Sequence, residues 1–248
     1  MSVPALSASR LEKRFGAVAA LDDVSLEVAA GECVALVGES GSGKTTLLRA
    51  FNGLTTPDRG AVAVDGHDLR HADLVAVRRA LGYVPQDGGL LPHWSVADNV
   101  ALLPSLLRRP DPAADATAAL AMVGLPPALS SRWPHELSGG QRQRVAFARA
   151  LAAGARTLLL DEPFGALDAI TRSDLQAMFL DVRRASGVAA LLVTHDLHEA
   201  ARLADRVAVM HRGRLAQVDR PAVLAARPAT PYVAELLARA RLATEGGA

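Results

Sequence analysis

Gly38-Glu39-Ser40-Gly41-Ser42-Gly43-Lys44-Thr45 follows the spacing G-x-x-x-x-G-K-[ST], which suits a polyphosphate. Glycines 38, 41 and 43 let the backbone curl until successive N–H groups face one point, and the positive end of a following helix favours the same anion. Lys44 would reach the β- and γ-phosphates of ATP, and the Thr45 hydroxyl, ahead of Thr46, would bind Mg²⁺. Asp161-Glu162 ends an apolar run, and two adjacent carboxylates need something to offset their repulsion. With Mg²⁺ there, Asp161 holds the metal and Glu162 polarises the water that attacks the γ-phosphate. The competing reading is a solvated acidic turn. Between these motifs stands Leu137-Ser138-Gly139-Gly140-Gln141. Ser138 and Gln141 form the S-x-x-Q of a capping box, but a cap alone explains neither glycine, each costing about 1 kcal/mol in a helix relative to alanine. Two positions without side chains admit a phosphate to a helix N-terminus, such as a γ-phosphate brought by a facing subunit. An ATPase completed by a second copy follows.

The elements that must position these residues are legible in outline. Cys33 to Val37 reads as a buried strand before the phosphate loop, and Thr45 to Phe51 as a helix stopped by Asn52-Gly53. Apolar stretches at 6–11, 21–28, 61–64 and 81–84 read as further strands. Val96 to Arg109 and Ala113 to Val123 read as helices, interrupted by Pro110-Asp111-Pro112 and Gly124-Leu125-Pro126-Pro127. After the helix begun by Ser138, which runs to about Ala152, strand and helix alternate: 157–160, 171–185, 188–193, 197–204 and 206–210. Alternation of this kind implies parallel strands with crossover helices. His195 follows such a strand, at the carboxyl edge where open α/β sheets bind ligands, and so could sense the γ-phosphate. His195 and His198 also have a metal-binding spacing, without a third ligand at useful distance.

Composition sets the remaining limits. With 248 residues, one α/β core with an inserted subdomain fits the length. Lys plus Arg number 27 against 26 Asp plus Glu, so no nucleic-acid partner is expected. The single cysteine, Cys33, excludes an internal disulfide and reads as a small core residue. No apolar run reaches the length of a membrane span and no signal-peptide pattern opens the chain, so a cytosolic protein is expected. Leu90, Leu91 and Trp94 sit in the Gly- and Pro-rich stretch Asp87 to Trp94, as a docking surface or, alternatively, packed within the helical part.

Taken together these residues resemble the nucleotide-binding subunits of ATP-binding cassette (ABC) transporters. The resemblance covers nearly the whole chain and includes the phosphate loop, Gln86, the signature at 137–141, Asp161-Glu162, Gly165-Ala166-Leu167-Asp168 and His195. It implies a P-loop α/β fold with a mostly parallel sheet, an antiparallel N-terminal β subdomain and a helical subdomain at about 87–155. The core would comprise 1–86 and 156–242, with a tail at 243–248. By the same resemblance Phe15, where the family more often has tyrosine, stacks on the adenine. Gln86 touches Mg²⁺ and the attacking water, and Asp168 contacts the opposite subunit. Two subunits, as a homodimer, would close head to tail over two ATP and drive a separate membrane permease from the cytoplasmic face of the cell membrane. An external binding protein would capture the solute.

A finer resemblance, in Leu81 to Gln86, Leu90 to His93, Asn99 to Leu102 and Pro163 to Arg172, is to the ATPases of importers for quaternary amines such as glycine betaine, carnitine and choline. Importers of sulfonates, nitrate and polyamines share several of these words, and an exporter subunit is a further alternative. Translation-associated cassettes join two copies through a charged linker, and DNA-repair cassettes insert a coiled coil before the signature; neither pattern occurs here. Nor does the sequence carry the paired C-terminal regulatory modules of many osmoprotectant relatives.

Overall fold

In a computed structural model that describes residues 3–245, the chain forms two compact units, Met1–Val77 with Ala189–Ala248, and Arg78–Val188. The first opens with β1 (Leu6–Phe15) and β2 (Val18–Val28), joined by the tight turn Gly16-Ala17, where Gly16 supplies φ +59°. After β3 (Cys33–Val37) come α1 (Lys44–Phe51), β4 (Arg59–Val64), β5 (His67–Asp68) and α2 (Leu74–Ala80). The second unit holds β6 (Leu81–Val84), α3 (Val96–Leu106), α4 (Pro112–Met122), α5 (Gly139–Leu151), β7 (Thr157–Asp161) and α6 (Ala169–Ser186). The chain then returns to the first unit as β8 (Ala189–Val193), α7 (Leu197–Leu203), β9 (Arg206–His211), β10 (Arg214–Asp219), α8 (Pro221–Ala226) and α9 (Pro231–Glu245).

Two kinds of sheet meet in the first unit. One is antiparallel, in the order β2-β1-β4-β5, and alternates buried with exposed positions along β1 and β2. In the other, β3 lies between β8 and β9 and runs parallel to both, while β10 pairs antiparallel with β9. Every residue of β3 and β8 is buried, as expected of parallel strands covered on both faces. Cys33 is among them, buried and outside any disulfide. At the amino end of β3, Arg206 grips Glu32 through Nε and Nη2 at 2.6 and 2.9 Å, and Asp205 accepts the Cys33 N–H at 2.7 Å. The start of β9 is thereby tied to β3.

The second unit is helical around the short parallel pair β6–β7. Each of its helices begins on a side-chain cap: Ser95, Asp111, Ser138 and Asp168. Pro110-Asp111-Pro112 is thus less an interruption than a start signal, with Asp111 as cap and Pro112 in the first turn. The preceding helix stops at Leu106 rather than Arg109, because Arg108 turns left-handed at φ +53° and the Arg109 N–H returns to the Pro104 carbonyl. Phe147 of α5, Phe164 and Phe179 of α6 are all fully buried and stack at centroid distances of 5.9 to 6.2 Å, forming the unit's packing centre.

Of the tail expected at 243–248, the last three residues lie outside the described residues, while α9 continues to Glu245. Among the described residues no helix is long and apolar enough to cross a membrane. Truncating Phe179 to alanine should cost about 3–5 kcal/mol, read as a lower denaturant midpoint, whereas truncating exposed Phe15 should change stability by less than about 0.5 kcal/mol.

Candidate functional site

In the first unit the phosphate loop leaves the carboxyl end of β3, and His195 leaves the carboxyl end of the neighbouring β8. Their register, Leu36 beside Val193, brings both exits to one edge of the sheet. Thr194 at this edge donates its N–H to the Leu36 carbonyl at 3.1 Å and accepts the Asp196 N–H on its hydroxyl at 3.0 Å. His195 is exposed. His198, next along, has Nε2 at 3.2 Å from the Ala240 carbonyl, a contact with α9 rather than with His195.

The loop itself is a tight backbone cradle. Gly38 takes φ +150°, and a Cβ there would fall 2.2 Å from the Met210 carbonyl oxygen; at Gly43, φ +109°, it would fall 2.3 Å from that of Ala20. Gly41 needs its freedom for conformation alone, since at φ +77° nothing lies within 4 Å. Lys44 is buried, and its Nζ donates to the carbonyls of Gly38 and Glu39 at 2.8 and 2.9 Å, so the cation sits within the curl of the loop. Gly43 at the start of α1 offers no side-chain cap, which leaves the first helical N–H groups to a ligand. Ser42 Oγ is buried without a hydrogen-bond partner, a cost of about 1–3 kcal/mol that an anionic acceptor in the loop would relieve. These features fit a polyphosphate.

Two contacts to this loop, and a third that braces one of them, come from residues that motif reading passes over. Tyr232 of α9 accepts the Glu39 N–H at 3.4 Å, Arg239 pairs with the Glu39 carboxylate at 3.4 Å, and His211 stacks on the Tyr232 ring at 3.7 Å. Burial pushes the Tyr232 hydroxyl above its ordinary pKa. The only advance signal for α9 was Thr230-Pro231 before Tyr232, Val233, Leu236 and Leu237 at helical spacing. Phe15 ends β1 with its ring 56% exposed and the Lys13 ammonium 5.5 Å from its centroid.

The second unit repeats the arrangement. β6 and β7 pair in parallel with Val84 beside Leu160, so Gln86 and Asp161-Glu162 leave one edge together. Asp161 is buried and Glu162 half-buried. Glu162 adopts the left-handed φ +48°, a conformation costing about 1–3 kcal/mol for a side chain of this kind. It is held by the Gly165 N–H, which donates to the Glu162 carbonyl at 3.2 Å, and by Phe164, locked in the aromatic trio. Gln86 is exposed, as are Leu91 and Trp94 beyond it, so Leu91 does not pack within the helices.

Ser138 and Gln141 make both bonds of the capping box, at 3.2 and 2.9 Å. The two glycines separate in role. Gly140 is buried, and a Cβ there would come within 2.3 Å of Thr171 Cγ2, so close packing of α5 on α6 accounts for it without any ligand. Gly139 is exposed, with Leu167 Cδ2 at 3.5 Å from its Cβ position, and only here does the argument for a ligand at this helix end survive. Asp168 caps α6 by accepting the N–H groups of Ile170 and Thr171, and the Thr171 N–H and hydroxyl hold its carboxyl below the usual carboxylate range. Gly140→Ala should therefore lower thermal stability by about 1–3 kcal/mol, and Thr171→Ser on the same chain should restore it by removing the clashing methyl. Gly139→Ala should leave the melting curve unchanged.

A family model described as ABC transporter matches residues 21–165. The glycine betaine uptake system ATP-binding protein YehX of Escherichia coli is 42% identical over 94% of this chain and 77% of its own. The Fe(3+) ions import ATP-binding protein FbpC of Pseudomonas fluorescens is 46% identical over 96% of this chain and 68% of its own. Among solved structures, the dimeric bacterial ABC transporter cassette MJ0796 superposes with a TM-score of 0.80 at 30% identity, covering 87% of this chain and 98% of that one. The same cassette is also known as a post-hydrolysis dimer bound to ADP and Pi. With the phosphate loop, the acidic strand end and the signature helix in place, the chain belongs to the ABC transporter family and is one of its ATPases.

Proposed function

We propose that this chain is the ATP-hydrolysing subunit of an importer, working as a head-to-tail homodimer that powers a separate membrane permease at the cytoplasmic face. The observation that carries the nucleotide part is the phosphate loop, where a Cβ at Gly38 or Gly43 would strike backbone and the buried Ser42 hydroxyl lacks an acceptor. Within the first unit, the amides from Gly38 to Thr46 and the Lys44 ammonium hold the triphosphate, and the Phe15 ring, exposed and flat, stacks on the adenine. His195, leaving the adjacent strand, reads the γ-phosphate.

Within the second unit, Glu162 accepts the proton of the attacking water and Gln86 orients that water. Glu162 stands at a strained backbone position, so the turn sets the direction in which its side chain leaves the main chain. In the first unit Thr45, and in the second Gln86 and Asp161, carry oxygen donors that suit Mg²⁺, which when bound would neutralise charge on the transferring group. Ser138, Gly139 and Gln141 receive the γ-phosphate of the facing copy, and Asp168 lies against that copy; the dimeric form of MJ0796 supports this pairing.

Exposed Leu91 and Trp94 supply the permease contact. For the solute, similarity to the glycine betaine system YehX supports a quaternary amine, captured by an external binding protein. The iron importer FbpC, at 46% identity, supports ferric ion as the second reading.

Glu162→Gln should lower ATP turnover by about a hundredfold or more while ATP still binds and the closed dimer accumulates in gel filtration. Hydrolysis at the native rate would overturn the role of Glu162. Labelled glycine betaine uptake at high osmolarity, in cells lacking the chain, should return with the native protein and not with that variant. Rescue of ferric ion uptake instead would establish the second reading.

A further inference from the structure

The stretch from Gln86 to Ser95 has neither strand nor helix, yet two neighbouring helices bond its backbone. From the last turn of α5, Arg149 donates Nη1 to the Gly89 carbonyl at 2.6 Å and Nη2 to the Gly88 carbonyl at 2.8 Å. From α3, the fully buried Asn99 accepts the Leu91 N–H at 2.7 Å and donates to the carbonyls of Leu91, Trp94 and Ser95 at 3.0 to 3.2 Å. Gly88 and Gly89 turn left-handed, φ +74° and +56°, and present two successive carbonyls to one planar guanidinium. The loop is thus fixed through its main chain, while the side chains of Leu91 and Trp94 remain exposed.

Several features make α5 a rigid carrier for this contact. Its thirteen residues span about 20 Å, of which the stretch from the Ser138 cap to Arg149 takes about 16 Å. Phe147 is locked between Phe164 and Phe179. Where α5 crosses β6, a Cβ on Gly82 would come within 2.7 Å of the Ala150 carbonyl, so helix and strand touch backbone to backbone. Burial draws the Arg149 guanidinium below its ordinary pKa against the opposing charge of Asp87, and a half-buried cation spent on two carbonyls is costly if stability is its only purpose.

We infer that Arg149 is a positioning residue: its fork on Gly88 and Gly89 makes the Gln86–Ser95 loop and the helix begun by Ser138 one mechanical body. A shift at the helix's amino end is then delivered to Gln86 and to the Leu91–Trp94 edge. This inference rests on the roles given above to Gln86 and to that edge.

The test uses the full chain in two arms. In hydrogen exchange, Arg149→Ala should speed the amides of Gly88 to Leu91 by about tenfold or more, with partial recovery in Arg149→Lys, which keeps the charge but loses the planar fork. In ATP turnover, Arg149→Ala should lower kcat with little change in KM, because the phosphate loop belongs to the other unit. A chain carrying both Gln86→Ala and Arg149→Ala should then be no slower than Gln86→Ala alone. Unchanged exchange in the loop would overturn the inference, and so would losses that multiply in the double variant. Native turnover by Gln86→Ala would instead sink the role of Gln86, leaving the exchange arm to decide on Arg149. Should Arg149→Ala fail to fold, Arg149→Lys carries both arms.

Discussion

Parallel pairing of buried strands is the constraint on which the chemistry depends. A strand covered on both faces must be apolar along its length, and β3, β7 and β8 are buried at every position. Polar groups can enter only where such a strand ends. Because parallel neighbours end on the same side, their loops emerge together, and this occurs twice. In the first unit β3 and β8 deliver the phosphate loop and His195 together, and in the second β6 and β7 deliver Gln86 and Asp161-Glu162 together. The close approaches at Gly38 and Gly43 follow from this geometry, since a loop curling at a strand end lies directly on the carbonyls of neighbouring segments.

In the second unit the same economy falls on α5. Its first turn carries the capping box, Gly140 admits the Thr171 methyl, Phe147 enters the aromatic trio and Arg149 reaches the loop after β6. Packing and function are therefore coupled along one helix. Removal of the Phe147 ring would cost core stability and also release the strained turn at Glu162, whose position depends on Phe164 beside it.

Much of this was legible in the sequence wherever the cause is local. The glycines and lysine of the phosphate loop, the cap at Ser138 and the apolar runs of the parallel strands announce themselves within a few residues. What escaped is caused at a distance. The reason for Gly140 lies in Thr171, those for Gly38 and Gly43 in Met210 and Ala20, and the Glu39 contacts lie in Tyr232 and Arg239. No window along the chain contains both partners. Among the elements missed outright, α2, β10 and α8 are six or seven residues long with little buried surface, so their periodicity is too brief to stand out.

The division between motor and selectivity has a physical basis in the loop after Gln86. Asn99 and Arg149 hold it by main-chain groups alone, a mode of attachment indifferent to the side chains at Leu90, Leu91 and Trp94. Such a mount keeps the loop's path constant while its apolar tip is free to match whatever helix it meets. Hydrolysis uses none of those tip residues, and no group in either strand-edge cluster has cause to meet a transported solute. A glycine betaine system and a ferric ion importer both match this chain at above 40% identity, as expected where the solute is met by other proteins.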